Sequence, residues 1–344
     1  MTMNSRTRVL NLFERKPIDY IPVFSGMGNI TVTGLSKYGY HFADIHSDPV
    51  KMANMAASTY QLFGYECAIA PFDMDIEAEA LGCEVNYYAH RVEDIIYPTI
   101  KAPLAEKMVD LDLKMPSNLK EKGRIPVVME ALRLLKKRVG NEVCIGSYIL
   151  GPYLIVAQVV DIGDLAKSCF KRPDLVEKAM NVATELIISM SKLWREAGAD
   201  FVTIREMGAG PDILSPRIFD KLILPQLKKI FAAVDSPNVL HICGNTNDIV
   251  EQMKLAGADA ISVEEKNDVH RTRQILGPRE LIFGNVAGFS VMVAGKAEDV
   301  DKAVKASIDA GVNAVWPGCD IWPTVPAENM QAMIAAGRKY GKVV

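Results

Sequence analysis

The chain has 344 residues, 49% hydrophobic and 24% charged, a balance that suits a globular protein with a large core and excludes a disordered chain. Its formal net charge of -3 offers no basic face for nucleic acid or an anionic membrane surface. No stretch has the roughly 18 uninterrupted apolar residues that a bilayer span needs, and the charged first ten residues lack the apolar segment of a secretion signal. The expected location is the cytoplasm, with the six cysteines reduced.

In chain order, apolar runs predict strands near 21–25, 66–71, 143–147, 201–205, 239–243, 260–264, 281–285 and 314–317. Most are apolar throughout, as parallel strands covered on both faces are. Helical patterns lie between them. The clearest starts at Pro173 and carries Val176, Met180, Ala183, Ile187, Met190 and Trp194 on one stripe. A short pattern recurs at the joints: Ala197-Gly198-Ala199-Asp200, Ala256-Gly257-Ala258-Asp259 and Ala310-Gly311-Val312-Asn313. In each, glycine ends a helix and a polar turn leads into the next strand. Eight strands alternating with helices predict one (β/α)8 (TIM) barrel over residues 1–344, although an open sheet has nearly the same periodicity. The long gap at 85–125, between the second and third strands, predicts an insertion at the mouth that moves on binding, with 84–90 and 95–100 as an antiparallel hairpin lid.

Working residues of such barrels sit at the C-terminal strand ends. His241 and Cys243 end the fifth predicted strand, and side chains two apart on a strand point the same way. Cys319 follows the eighth. One imidazole and two thiolates suit zinc, and three protein ligands leave a fourth position open. Glu264 or Glu265, at the end of the sixth strand, is a candidate displaceable fourth ligand; strand alternation lets only one face inward. Such a thiolate-rich site favours ionising a bound thiol, a methyl acceptor, over activating water. Asp73, Arg205, Glu206 and Asn285 are candidate substrate-binding groups at other strand ends, with Arg205 either binding an anion or pairing with Glu206. His41, His46, His90 and His270 are expected on the surface or in loops.

The runs Leu240-His241-Ile242-Cys243-Gly244-Asn245, Ile261-Ser262-Val263-Glu264-Glu265-Lys266, Gly284-Asn285-Val286 and Pro317-Gly318-Cys319 resemble those of the methylcobamide:coenzyme M methyltransferases, in the uroporphyrinogen decarboxylase superfamily. Gly123-Arg124-Ile125-Pro126-Val127-Val128 and Glu79-Ala80-Leu81-Gly82-Cys83-Glu84 extend the likeness over nearly the whole chain. The resemblance implies a uroporphyrinogen decarboxylase-like barrel and Zn2+ at His241, Cys243 and Cys319. It also implies a methylated corrinoid (methylcobamide) carried by a partner protein, from which methyl passes to a small thiol such as coenzyme M.

Two departures bear on the substrate. The decarboxylases carry substrate-holding arginines after the first strand, where this chain has Ser25-Gly26-Met27-Gly28-Asn29, so a poly-acidic porphyrinogen lacks its counter-charges. Asp73 matches the decarboxylase aspartate, at a position that is not acidic in the coenzyme M enzymes. With Asp75, Glu77 and Glu79 it forms an alternating acidic row. Read as a strand face or loop edge at the mouth, the row would repel a sulfonate and favour another acceptor, such as homocysteine or a folate; it is equally readable as a solvated loop. The alternatives are a metal-free lyase of the decarboxylase type and a non-catalytic module that docks a corrinoid protein.

Overall fold

The computed structural model describes residues 3–343; Met1, Thr2 and Val344, within the stretch 1–344 predicted as one barrel, fall outside it. Seven strands, Cys67–Ile69, Cys144–Leu150, Phe201–Arg205, Asn238–Ile242, Ala260–Val263, Leu281–Val286 and Ala314–Pro317, pair in chain order, every pair parallel. Residues 22–24 close the ring. Val315 donates its N–H to the Pro22 carbonyl at 3.0 Å, Phe24 donates to Val315 at 3.3 Å, and Glu66 donates to Val23 at 3.0 Å. The first predicted strand, 21–25, is thus reduced to a single bridge at Val23–Val315, because Pro22 has no N–H to contribute to a longer ladder.

Side chains fasten this closure. The buried Glu66 carboxylate accepts the Val23 N–H at 2.9 Å and the Tyr20 hydroxyl at 3.1 Å, and it pairs with the Arg8 guanidinium. Glu66→Ala is therefore expected to lower stability in chemical denaturation by about 1–3 kcal/mol, since it leaves the buried Val23 N–H unpaired while Arg8 keeps its second carboxylate, Asp19, at 2.6 and 3.0 Å.

The barrel interior is filled by rings. Phe24 lies 5.2 Å from Trp316, 5.5 Å from Phe283 and 5.8 Å from Phe201, mostly edge-on. Phe13, the last residue of the helix Ser5–Phe13, meets Phe24, Phe201 and Phe283 and plugs the N-terminal end. Such pairs contribute about 0.5–1.5 kcal/mol each beyond area burial.

The recurring joint has a second role besides ending helices. Gly198, Gly257 and Gly311 hold φ of 114°, 93° and 102°, which a side chain would strain. The fourth residue of each repeat then reaches sideways: Asp200 Oδ2 accepts the Ile145 N–H at 2.9 Å, Asp259 Oδ2 that of Asn238 at 2.8 Å, and Asn313 Oδ1 that of Ile282 at 3.0 Å. Each ties its own strand to the start of the preceding one. The stripe of the helix Pro173–Ala197 is buried from Val176 to Trp194 as its spacing requires.

In the insertion, Val85–Asn86 pairs antiparallel with Thr99–Ile100. This hairpin is much shorter than the predicted arms 84–90 and 95–100, because the intervening residues form turns and Tyr97 folds inward against Phe42 and His46.

Candidate active site

His241 pairs in register with Arg205 on one side and Ser262 on the other. Cys243 lies just past the strand, where Gly244 turns the chain at a φ of 82°. Cys319 follows the strand Ala314–Pro317. The structure brings all three together. His241 Nε2 is 3.0 Å from Cys243 Sγ, the two sulfurs are 3.6 Å apart, and the three ligand atoms lie within 4.8 Å of one another. Ser262 Oγ sits 3.0 Å from His241 Nδ1, which orients the ring with Nε2 toward the sulfurs. Hydrogen bonding from Cys243 holds the Cys319 thiol well below its ordinary pKa against the effect of burial, with His241 and Arg205 adding to it.

Glu264 does not join this group. Its carboxylate accepts the Gly244 N–H and so fixes the turn that carries Cys243. Nor does Arg205 offer a free cation. Fully buried, it grips Asp320 with both nitrogens, at 3.0 and 2.6 Å, and lies 4.0 Å from Cys319 Sγ. Its partner is Asp320 rather than Glu206, because Glu206 turns to the N-terminus of the helix Pro152–Val159 and accepts from Tyr153 N (2.9 Å) and Leu154 N (3.1 Å). Burial pushes that carboxyl up to about 8. Asn285 also departs from the predicted substrate-binding role. It accepts from Ser307 on the covering helix Ala297–Ala310 and donates to the Asn267 carbonyl, although Phe283, two residues earlier on the same strand, packs inside the barrel. Sequence reasoning missed Asp320, whose signal was its position beside Cys319; it also accepts the Gly28 N–H at 2.7 Å.

The acidic row 73–79 is neither a strand face nor a loop edge. Asp75 precedes the short helix Ile76–Ala80, and the carboxylates diverge. Asp73 is gripped by Arg124 at 2.7 and 2.8 Å and bonded to His46 Nδ1 at 2.9 Å. Burial would raise its carboxyl, but His46 and Arg124 outweigh burial and hold it far below the usual range. His46, at the end of the short helix Phe42–His46, is therefore a core residue rather than one on the surface or in a loop as expected, since it packs against the buried Asp73. Glu77 accepts the Leu150 N–H at 2.9 Å, and Glu79 pairs with Arg124 at 2.8 Å. Among the described residues, Asp75 and Glu77 have no cationic partner, and Asp75 alone of the two lacks a donor on one oxygen; burial and the nearby Asp73 push Asp75 up to about 7.

A cavity of about 420 Å³ opens beside Cys319. Residues 72–75, the insertion at Tyr97–Ile100, Gln158 and the segment Cys319–Pro323 form its walls. The insertion thus stands at the mouth.

Two thiols and an imidazole at the C-terminal mouth of a closed parallel barrel define a barrel enzyme with a zinc-type ligand set. The chain belongs to the uroporphyrinogen decarboxylase family, whose model, described as Uroporphyrinogen decarboxylase (URO-D), matches residues 4–340. It is 32% identical, over 97% of this chain and 98% of the relative, to a methylcobamide:CoM methyltransferase (MtaA) of Methanosarcina barkeri. It is 28% identical, over 97% and 98%, to a methylcobamide:CoM methyltransferase (MtbA) of Methanosarcina acetivorans. A solved methyltransferase from Methanosarcina mazei superposes with a TM-score of 0.92 at 31% identity, covering 98% of this chain and 99% of that one. The protein is a methyltransferase. Among the described residues, no helix is long and apolar enough to cross a membrane.

Proposed function

We propose that this methyltransferase moves a methyl group from a methylated corrinoid, presented by a carrier protein, to a small thiol, at a zinc ion held by His241, Cys243 and Cys319. The convergence of those three ligand atoms within 4.8 Å carries the reading. When bound, zinc lowers the pKa of a coordinated thiol so that sulfur is nucleophilic at neutral pH. In the transfer the thiol gives up its proton, a sulfur–carbon bond forms, and the cobalt–carbon bond breaks with its electron pair left on cobalt.

The remaining work belongs to the chain's own residues. Ser262 holds His241 in the ligating orientation, and the Glu264 bond to Gly244 fixes the Cys243 turn. The Arg205–Asp320 pair holds the loop of Cys319. At the rim of the cavity Trp322 and, beside it, Phe289 are half-exposed with rings 5.4 Å apart, and Met74 is exposed nearby; this apolar edge suits a docking carrier protein. A decarboxylase-type lyase built on Asp73 is disfavoured, because both oxygens of that carboxylate are already engaged by Arg124 and His46.

The test is to incubate zinc-loaded protein with free methylcobalamin and short thiols and follow demethylation spectroscopically. Methylation of at least one thiol is expected, at a rate well above the protein-free control. No transfer to any thiol would refute the reading.

A further inference from the structure

Resting on the proposed thiol acceptor, the cavity specifies what lies at that acceptor's other end. Among the described residues lining it, none is cationic; Asp73, Asp75 and Asp320 are there, and both nearby guanidiniums stand behind carboxylates, Arg124 on Asp73 and Arg205 on Asp320. Two residues of one wall, Asp75 and Gln158, each carry a buried acceptor oxygen, Oδ2 and Oε1, with no hydrogen-bond partner. The two residues are neighbours, since Gln158 Nε2 donates to the Met74 carbonyl at 2.7 Å and stands 3.5 Å from Asp75 Oδ1. Buried acceptors left without donors are unfavourable unless a ligand or water supplies them. An ammonium group offers three N–H donors and a positive charge, whereas a sulfonate or carboxylate offers none and meets like charge.

We propose that the methyl acceptor is an aminothiol, its sulfur at the His241–Cys243–Cys319 cluster and its ammonium group on Asp75 and Gln158. The reaction itself is unchanged; only the partner chemistry at the far wall is specified.

Four short thiols that differ at the far end test this: cysteamine, 2-mercaptoethanol, 3-mercaptopropionate and 2-mercaptoethanesulfonate, each with the zinc-loaded protein and methylcobalamin. Cysteamine is expected to have the highest kcat/KM, about tenfold or more above either anionic thiol. Comparison with Asp75→Asn cancels the thiols' intrinsic reactivities, and the variant should lose most of that preference through a raised KM for cysteamine. Gln158→Leu, which keeps the charge, should raise the KM for cysteamine while shifting that for 3-mercaptopropionate less, and it serves equally if Asp75→Asn does not fold. An anionic thiol used as well as cysteamine, or a preference that neither substitution alters, overturns the aminothiol assignment while leaving thiol methylation standing. Failure to methylate any of the four removes both.

Discussion

Replacing Cys319 with alanine is expected to remove zinc and thiol methylation together while the barrel stays folded. Among the described residues, the sulfur of Cys319 is one of three ligand atoms that converge, and a site reduced to His241 and Cys243 is too sparse to retain the ion through purification. Metal analysis should fall from near one zinc per chain in the parent to about a tenth or less. Turnover with methylcobalamin should drop about a thousandfold or more, as the loss of several kcal/mol of metal assistance implies. The far-ultraviolet circular dichroism should hardly change, because Cys319 lies in a loop beyond its strand and is only part-buried. His241→Ala should behave alike in metal content and turnover. Parent-like zinc and turnover in either variant would sink the ligand assignment.

The second large effect concerns Arg205. It is fully buried and forked onto Asp320, so Arg205→Met leaves a carboxylate without its counter-charge at the root of the Cys319 loop. A stability loss of about 3–5 kcal/mol is expected in chemical denaturation. Arg205→Lys keeps the charge but cannot make two parallel bonds; it should fold and bind zinc about 10–100-fold more weakly, the usual scale for groups that orient metal ligands. Asp320→Asn added to Arg205→Met should restore part of the lost stability, because the uncompensated charge is then gone. A double-mutant cycle with purely additive effects would show that the pair is not coupled.

How far these residues could be read from the sequence depended on how local their geometry is. His241 and Cys243 share a strand, and period-two alternation puts them on one side; the Cys319 loop could be placed by counting strands. The joints at Gly198, Gly257 and Gly311 were equally visible, because helix termination is a local event. What the sequence did not show at Asp73, Arg205 and Asn285 was the side-chain partner, which for each lies elsewhere in the chain. Arg205 finds Asp320 rather than the adjacent Glu206, His46 and Arg124 neutralise Asp73, and Asn285 faces a helix. The run at 73–79 reads as a strand face or a loop edge, but these residues form a bend and a short helix that send each carboxylate elsewhere. Closure through residues 22–24 depends on contacts with both ends of the chain's sheet, which periodicity does not record.

The lateral ties made by Asp200, Asp259 and Asn313 have a consequence for how this enzyme can change. They anchor strand order at the floor of the cylinder, remote from the reacting sulfur. Loops at the opposite rim can therefore lengthen, shorten or exchange side chains without endangering assembly. A new acceptor preference could arise by altering a few wall positions, with metal capture and the scaffold beneath inherited intact.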